Sequence, residues 1–218
     1  MKPTIFVLIG VGLSLLALPP RVSWEQAPAR PVAEVSGPEY RVLSDYMAGT
    51  FTGDNGEARV GRRVSAIVII NETQSDRNDN KIEDDNGKPL SWTEISAYLR
   101  KEMPTLQRAS LNSFRDVNAH PASFQRSFHL PVAYELVDKT EIDAVLKQDG
   151  WWKDFYKKYP NSQGILSFSR VGFSPDGKQA IFYASNGCGG KCGTGTYVIM
   201  EKVDSGWKVA KEILFWIS

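Results

Sequence analysis

The sequence predicts an α+β fold in which a C-terminal four-strand antiparallel meander packs against several short helices. Three observations carry this expectation. From Gly164 onward the apolar residues fall into strand-like runs. Those runs are separated by short polar links, "SPDGK" and "DSG", and links so short force neighbouring strands to run antiparallel. Before Gly164 the apolar residues recur mainly at helical spacing, in segments that open on capping residues and stop at glycine or proline.

Taken in order, the chain opens with "MKPTIFVLIGVGLSLLALPP": Lys2, an apolar run from Ile5 to Leu18, then two prolines. The run is shorter than the ~20 residues that cross a bilayer, and its charged-then-apolar order is that of an export signal. Residues 1–20 are therefore read as a signal peptide or N-terminal anchor, with the folded part periplasmic or extracellular. Membrane contact is expected only through this segment, if it stays uncleaved. Residues 21–37, rich in proline and small side chains, read as a linker, and 38–218 as a single domain.

Within that domain, Tyr40, Leu43 and Met47 share one side of a helix that starts after Pro38 and stops at Gly49. "VSAIVII", Val64 to Ile70, is a buried strand. The polar stretch that follows offers Asp76, Asn78 and Asn80 as oxygen ligands for calcium. Lys81 then stands where an EF-hand loop needs glycine, and Gly87 where it needs glutamate, so a solvated loop is expected. Ser91 and Glu94 form a capping box that opens a helix near Trp92. Pro104 interrupts it, and Thr105 is placed to cap a second helix carrying Leu106, Leu111, Phe114 and Val117. "FHLPVAYELV" reads as a strand; Thr140 caps a helix with Ile142, Val145 and Leu146 inward, and Gly150 ends it. "WWKDFYKKYP" is a short helix halted by Pro160. The meander strands are "GILSFSRVGF", "QAIFYAS", "TYVIMEKV" and "WKVAKEILFWIS". In the last, Trp207, Val209, Ile213, Phe215 and Ile217 share a face by period two, with Lys211 the exception.

Composition narrows the function. Apolar residues make up 42% of the 218 and charged residues 23%, an ordinary globular balance. Twenty-six Lys plus Arg against 25 Asp plus Glu leave no field for phosphate backbones, so nucleic acid is not an expected partner.

The two cysteines lie in "NGCGGKCGTGTY", Asn186 to Tyr197, among five glycines. If Cys188 and Cys192 oppose each other across the meander's second turn, Gly189–Lys191 forms a three-residue loop that needs a left-handed residue, usually glycine. Opposed α-carbons lie about 4.5–5.5 Å apart, inside the ~4.4–6.8 Å that a disulfide accepts. Export favours oxidation, and the glycines let another group approach the backbone closely. A phosphate loop is excluded because "GGK" is followed by Cys192 and a strand. A thioredoxin-type site would need two intervening residues at a helix N-terminus. Copper would need His120 and His129, the only imidazoles, which lie far from the turn in sequence.

No catalytic residue, metal site or cofactor is predicted. Ser169 lies mid-strand, away from any nucleophile elbow, and Glu141 and Asp143 suit the first turn of a helix. Arg170 must reach solvent, an acid or a ligand from an apolar strand. Trp151, Trp152, Phe155, Tyr156 and Tyr159 fit either a ligand groove or a helix packed on the meander. Candidate binding residues are thus Arg170, Trp151, Trp152 and Tyr156.

The succession "WWKDFYKKYPNSQG", "SRVGFSPDGKQAIFY", "CGGKCGTGTYVIMEK", "GWKV" and "FWIS", with a looser echo in "LNSFRDVNA", resembles a family of exported bacterial proteins of uncharacterised activity. The resemblance implies an exported bacterial domain and transfers no site. A helix followed by a four-strand meander also resembles cystatin-like folds, by analogy alone. The expected role is non-enzymatic binding of a small ligand or an extracytoplasmic protein through the meander face beside the hairpin. The alternative is a thiol-redox or copper-handling protein that uses Cys188 and Cys192.

Overall fold

The computed structural model describes residues 33–52, 64–75, 87–147 and 149–218. The N-terminal segment read as a signal and the calcium-like positions 76–80 lie outside the described residues. None of the described helices is long and apolar enough to cross a membrane.

The class is α+β. In chain order the elements are β1 (Ala33–Glu34), α1 (Gly37–Phe51), β2 (Ala66–Ile70), α2 (Trp92–Glu102), α3 (Arg108–Val117), β3 (Ala122–Ser123), β4 (Ala133–Val137), α4 (Lys139–Leu146), α5 (Trp152–Lys158), β5 (Ser162–Phe168), β6 (Gly172–Phe173), β7 (Gln179–Gly187), β8 (Gly193–Val203) and β9 (Gly206–Ile217). The main sheet runs β4-β2-β5-β7-β8-β9, with β6 pairing β7. The meander β5-β7-β8-β9 is antiparallel throughout, as expected. Beyond it, β2 and β4 extend the sheet in parallel, an addition that a helix-plus-meander unit of the cystatin kind does not contain.

Helices cover both faces, and this explains why the strands read as unbroken apolar runs rather than as alternation. Along β2, Ile67 and Ile69 join Leu43 and Met47 of α1, whereas Val68 and Ile70 meet Ile142, Val145 and Phe155 of α4 and α5. Along β7 and β8, Phe182, Val198 and Met200 face α1, while Ile181, Tyr183, Tyr197 and Ile199 face Leu99 of α2 and Phe114 of α3. Each such side chain, fully buried, stabilises the fold by about 1.5–3 kcal/mol.

Several local expectations are corrected. Helix α1 passes Gly49 because Phe51 is buried against Tyr46, so tertiary packing overrides the glycine stop. Thr105 does not cap α3. The helix starts at Arg108, and its N-terminal groups are met by Gln179 of β7, whose Oε1 accepts from Gln107 N–H at 2.8 Å and Ser110 Oγ at 3.1 Å. Thr140 lies inside α4, whose N-cap is Asp138. Only Ala133–Val137 of "FHLPVAYELV" is strand, and "GILSFSRVGF" is divided into β5 and β6 around Arg170. The last residues of the segment read as linker belong to the fold: β1 pairs with β3, and Val35 is buried.

The most consequential correction concerns β9. Its register slips twice against β8, once between the Val209 and Lys211 pairings and again between Leu214 and Trp216. Each bulge inserts one residue and reverses which side chains face which way. Trp207 and Val209 therefore pack on the α1 face, Ile213 and Phe215 on the α2–α3 face, and the single face expected from period two is split.

Candidate functional site

Cys188 and Cys192 are joined by a disulfide with α-carbons 5.0 Å apart. Gly187 pairs with Gly193 at the end of the β7–β8 ladder. Cys188 N–H then donates to Cys192 O at 2.7 Å, which leaves Gly189–Lys191 as the three-residue loop. The glycines of this loop do not adopt positive φ; that conformation belongs to Gly164, Gly177 and Gly206 elsewhere in the meander.

Close approach explains the hairpin glycines instead. On one face of the sheet, aromatic rings lie directly on the backbone. A Cβ at Gly190 would stand 3.2 Å from the Trp151 ring and one at Gly187 3.5 Å from Trp152. At Gly195 it would collide with Trp216 Nε1 and Tyr183 Oη. Trp216 Nε1 donates to Tyr183 Oη at 2.6 Å, and burial pushes that phenol up to about 12. Tyr156 Oη donates to Cys188 O at 3.0 Å. Trp151, half exposed, opens α5 with φ 44° and ψ −115°. These are the angles of the first central residue of a type II′ turn, a position that normally takes glycine; Lys153 N–H closes the turn on Gly150 O at 2.8 Å.

Of the four predicted binding residues, Trp151, Trp152 and Tyr156 therefore do gather at the hairpin, but as packing on its backbone. Trp152 and Tyr156, with Phe155 and Tyr159, also belong to the core that α5 forms with α4, β2 and β5, so the helix packs on the parallel strands as well as on the hairpin end of the meander, while Trp151 stays half exposed over Gly190. Arg170 stands elsewhere. Its neighbour Ser169 bonds to Tyr183, five strand residues or roughly 17 Å from Cys188. The guanidinium is held by Glu39 of α1, with Nη2 to Oε2 2.8 Å and Nε to Oε1 3.1 Å. Glu39 also accepts from Val171 N–H at 3.1 Å and Ser36 N–H at 2.8 Å. Burial alone would raise this carboxyl; the hydrogen bonds with Arg170, Ser36 and Val171 outweigh it and hold it below the usual 4.5. Arg170 is thus fully engaged in joining α1 to the sheet.

The opposite face of the hairpin is concave. A cavity of about 470 Å³ opens there, walled by Phe51 at the end of α1, Leu166 of β5, Leu214 and Ile217 of β9, and the disulfide. Most of its exposed lining is apolar, but polar side chains stand around it: Asn186, Thr194 and Thr196 from β7 and β8, Lys191 in the loop, and Thr50, Ser185, Glu212 and Ser218 at its edges. Asn186 Oδ1 is buried without a hydrogen-bond partner among the described residues. A second hollow, about 590 Å³, lies at the far end of the meander beside Arg41, Phe173 and Trp207. There the Arg41 guanidinium is already bonded to Asp45 and Ser205 O.

Sequence reading found the hairpin and missed its concave side. Leu214 reaches the cavity because of the first β9 bulge and Ile217 because of the second, and apolar periodicity reveals neither. No protein-family model matches this chain, and neither the curated proteins nor the solved structures offer a relative.

Proposed function

We propose that this domain binds a small, mainly apolar molecule carrying one hydrogen-bond donor, in the cavity beside the Cys188–Cys192 hairpin, and works in an oxidising compartment outside the cytoplasm. One observation carries the reading: an apolar cavity of about 470 Å³ whose wall contains a buried, unpartnered acceptor, Asn186 Oδ1. That volume is within the ~300–1,000 Å³ of ordinary ligand pockets, and pockets of this kind are typically apolar with a few placed polar groups. A buried acceptor left without a donor costs about 1–3 kcal/mol, which a ligand hydroxyl or N–H would recover. Concavity favours a small molecule over a protein partner, which would need a broader face. The copper alternative would need the Cys188–Cys192 bond reduced first, and the thiol-redox alternative would need it to exchange readily, which thiol titration with and without reductant reads.

The reading is tested by calorimetric titration of the purified chain with straight-chain alkanols from butanol upward. Each added CH₂ contributes about 0.8 kcal/mol, so the dissociation constant should fall about fourfold per carbon until the chain outgrows the cavity. Thr196→Phe, which fills the lumen from β8, should abolish binding while leaving the far-ultraviolet circular dichroism unchanged. Affinity that is independent of chain length, or that survives Thr196→Phe, would refute the assignment.

A further inference from the structure

We infer that a second binding site lies on the other face of the sheet, in a cavity of about 430 Å³ between α4 and the carboxyl ends of β2 and β5, and that it takes a small organic amine as its ammonium ion.

The floor is apolar, formed by Ile70, Ile142 and Ile165. Around it stand three acceptors from two segments: Glu72 and Gln74 just beyond β2, and Asp143 in α4. Among the described residues neither carboxylate has a side-chain hydrogen bond or ion pair. Gln74 is held by its amide, which donates from Nε2 to Ser185 Oγ at 2.9 Å, and this leaves Oε1 buried without a partner among the described residues. The cavity also contains Lys139, but that lysine is already engaged. Three unengaged acceptors, two of them anionic, over an apolar floor complement one species well: a compact cation with several N–H donors on a short hydrocarbon body. An anion would be repelled by the carboxylates. A neutral polyol would gain no charge pairing from the two carboxylates. The location is also one that open sheets use, since the crevice outside the carboxyl ends of parallel strands is where their ligands sit. Two buried carboxamide oxygens without a partner, Asn186 Oδ1 and Gln74 Oε1, thus each belong to a cavity, one on each face of the sheet.

Three probes of matched chain length test the assignment: butylamine, butanol and butyrate, titrated into the ¹⁵N-labelled full chain and followed by amide chemical shifts. Butylamine should give saturable shifts at residues 72–75 and 139–143. Butanol should instead perturb the hairpin cavity around Asn186 and Thr194, so the two sites succeed or fail separately. The double variant Glu72→Gln/Asp143→Asn replaces two exposed side chains, and an unchanged melting temperature would show that it folds. It should weaken butylamine at least about tenfold, the loss expected on removing one charged hydrogen bond. The inference is overturned by any of three results: a butylamine response that is absent or survives in the double variant, equal shifts at 72–75 with butanol, or equal shifts there with calcium.

Discussion

The assignment of Arg170 to structure rather than ligand binding can be tested through its partner. Glu39 is 2% exposed and accepts from Arg170 Nε and Nη2, Val171 N–H and Ser36 N–H. Removing its charge strands a guanidinium whose side chain is only 17% exposed. Breaking one side of a buried pair costs about 3–5 kcal/mol; residual water access to Arg170 argues for the lower end, about 3 kcal/mol. For a domain of this size that is a fall in melting temperature of about 6–12 °C. Glu39→Gln should show this loss by thermal and urea melts near neutral pH. Adding Arg170→Met should recover part of it, because the stranded charge is then gone. The pH dependence has a defined sign. A carboxyl held below 4.5 in the fold stabilises fully above the unfolded value, and this contribution is lost as pH falls through the lower folded value. The gap between parent and Glu39→Gln should accordingly close on acidification below about 4.5. A gap under about 1 kcal/mol at neutral pH, the scale of a surface pair, would show that Arg170 is not committed to Glu39 and would return it to the list of candidate ligand contacts.

Three further outcomes follow from the same geometry. Cys188→Ser/Cys192→Ser opens a loop that spans five residues, so it should lose about 2 kcal/mol and about 4–8 °C, as reductant should in the parent; equal melting temperatures would remove the hairpin's role as a clasp. Trp151→Gly should melt above Trp151→Ala, by an amount equivalent to about 1–2 kcal/mol, because glycine accepts φ 44° without strain while both variants lose the ring over Gly190. Burial holds Tyr183 and Tyr159 up to about 12, so stability should be complete below the ordinary 10 and decline as pH rises from there. Phenolate absorbance and melting should change together; full ionisation of all tyrosines near 10 with the fold intact would refute this.

The legible parts of the fold were those whose causes are local. The Ser91–Glu94 capping box stands as read, with Ser91 N–H donating to Glu94 Oε2 at 2.7 Å and Glu94 N–H to Ser91 Oγ at 3.3 Å. The turn at Gly177 uses the positive φ its position demands, and the Cys188–Cys192 spacing closes the loop it implied. What escaped the sequence was decided by distant partners. Gln179 starts α3 from 72 residues away, displacing Thr105 as the expected cap. The bulges of β9 depend on its pairing with β8, so the faces of Ile213 and Phe215 could not be assigned from period two. The hairpin glycines read as turn residues that also admit a close approach; the close approach holds, and what the sequence could not name was the group, three tryptophan rings.

Why the cavity opens on the α1 side follows from lengths. On the α4–α5 side, Trp151, Trp152 and Trp216 fill the space over the hairpin and close it. On the other, α1 begins at the far end of the meander, where Arg41 reaches Ser205 O and Asp45 accepts from Trp207 N–H at 2.9 Å. Its 15 residues rise only about 22 Å. Strand β8, with 11 residues, runs about 36 Å. The helix is therefore shorter than the strand by roughly 14 Å, the difference of those two lengths, and it ends at Phe51. Beyond that ring the strands continue with Asn186, Thr194 and Thr196 projecting to the same side, too small and too polar to complete a core. A longer α1 would have buried them, so the mismatch between helix and strand is itself what makes room for a ligand beside the disulfide.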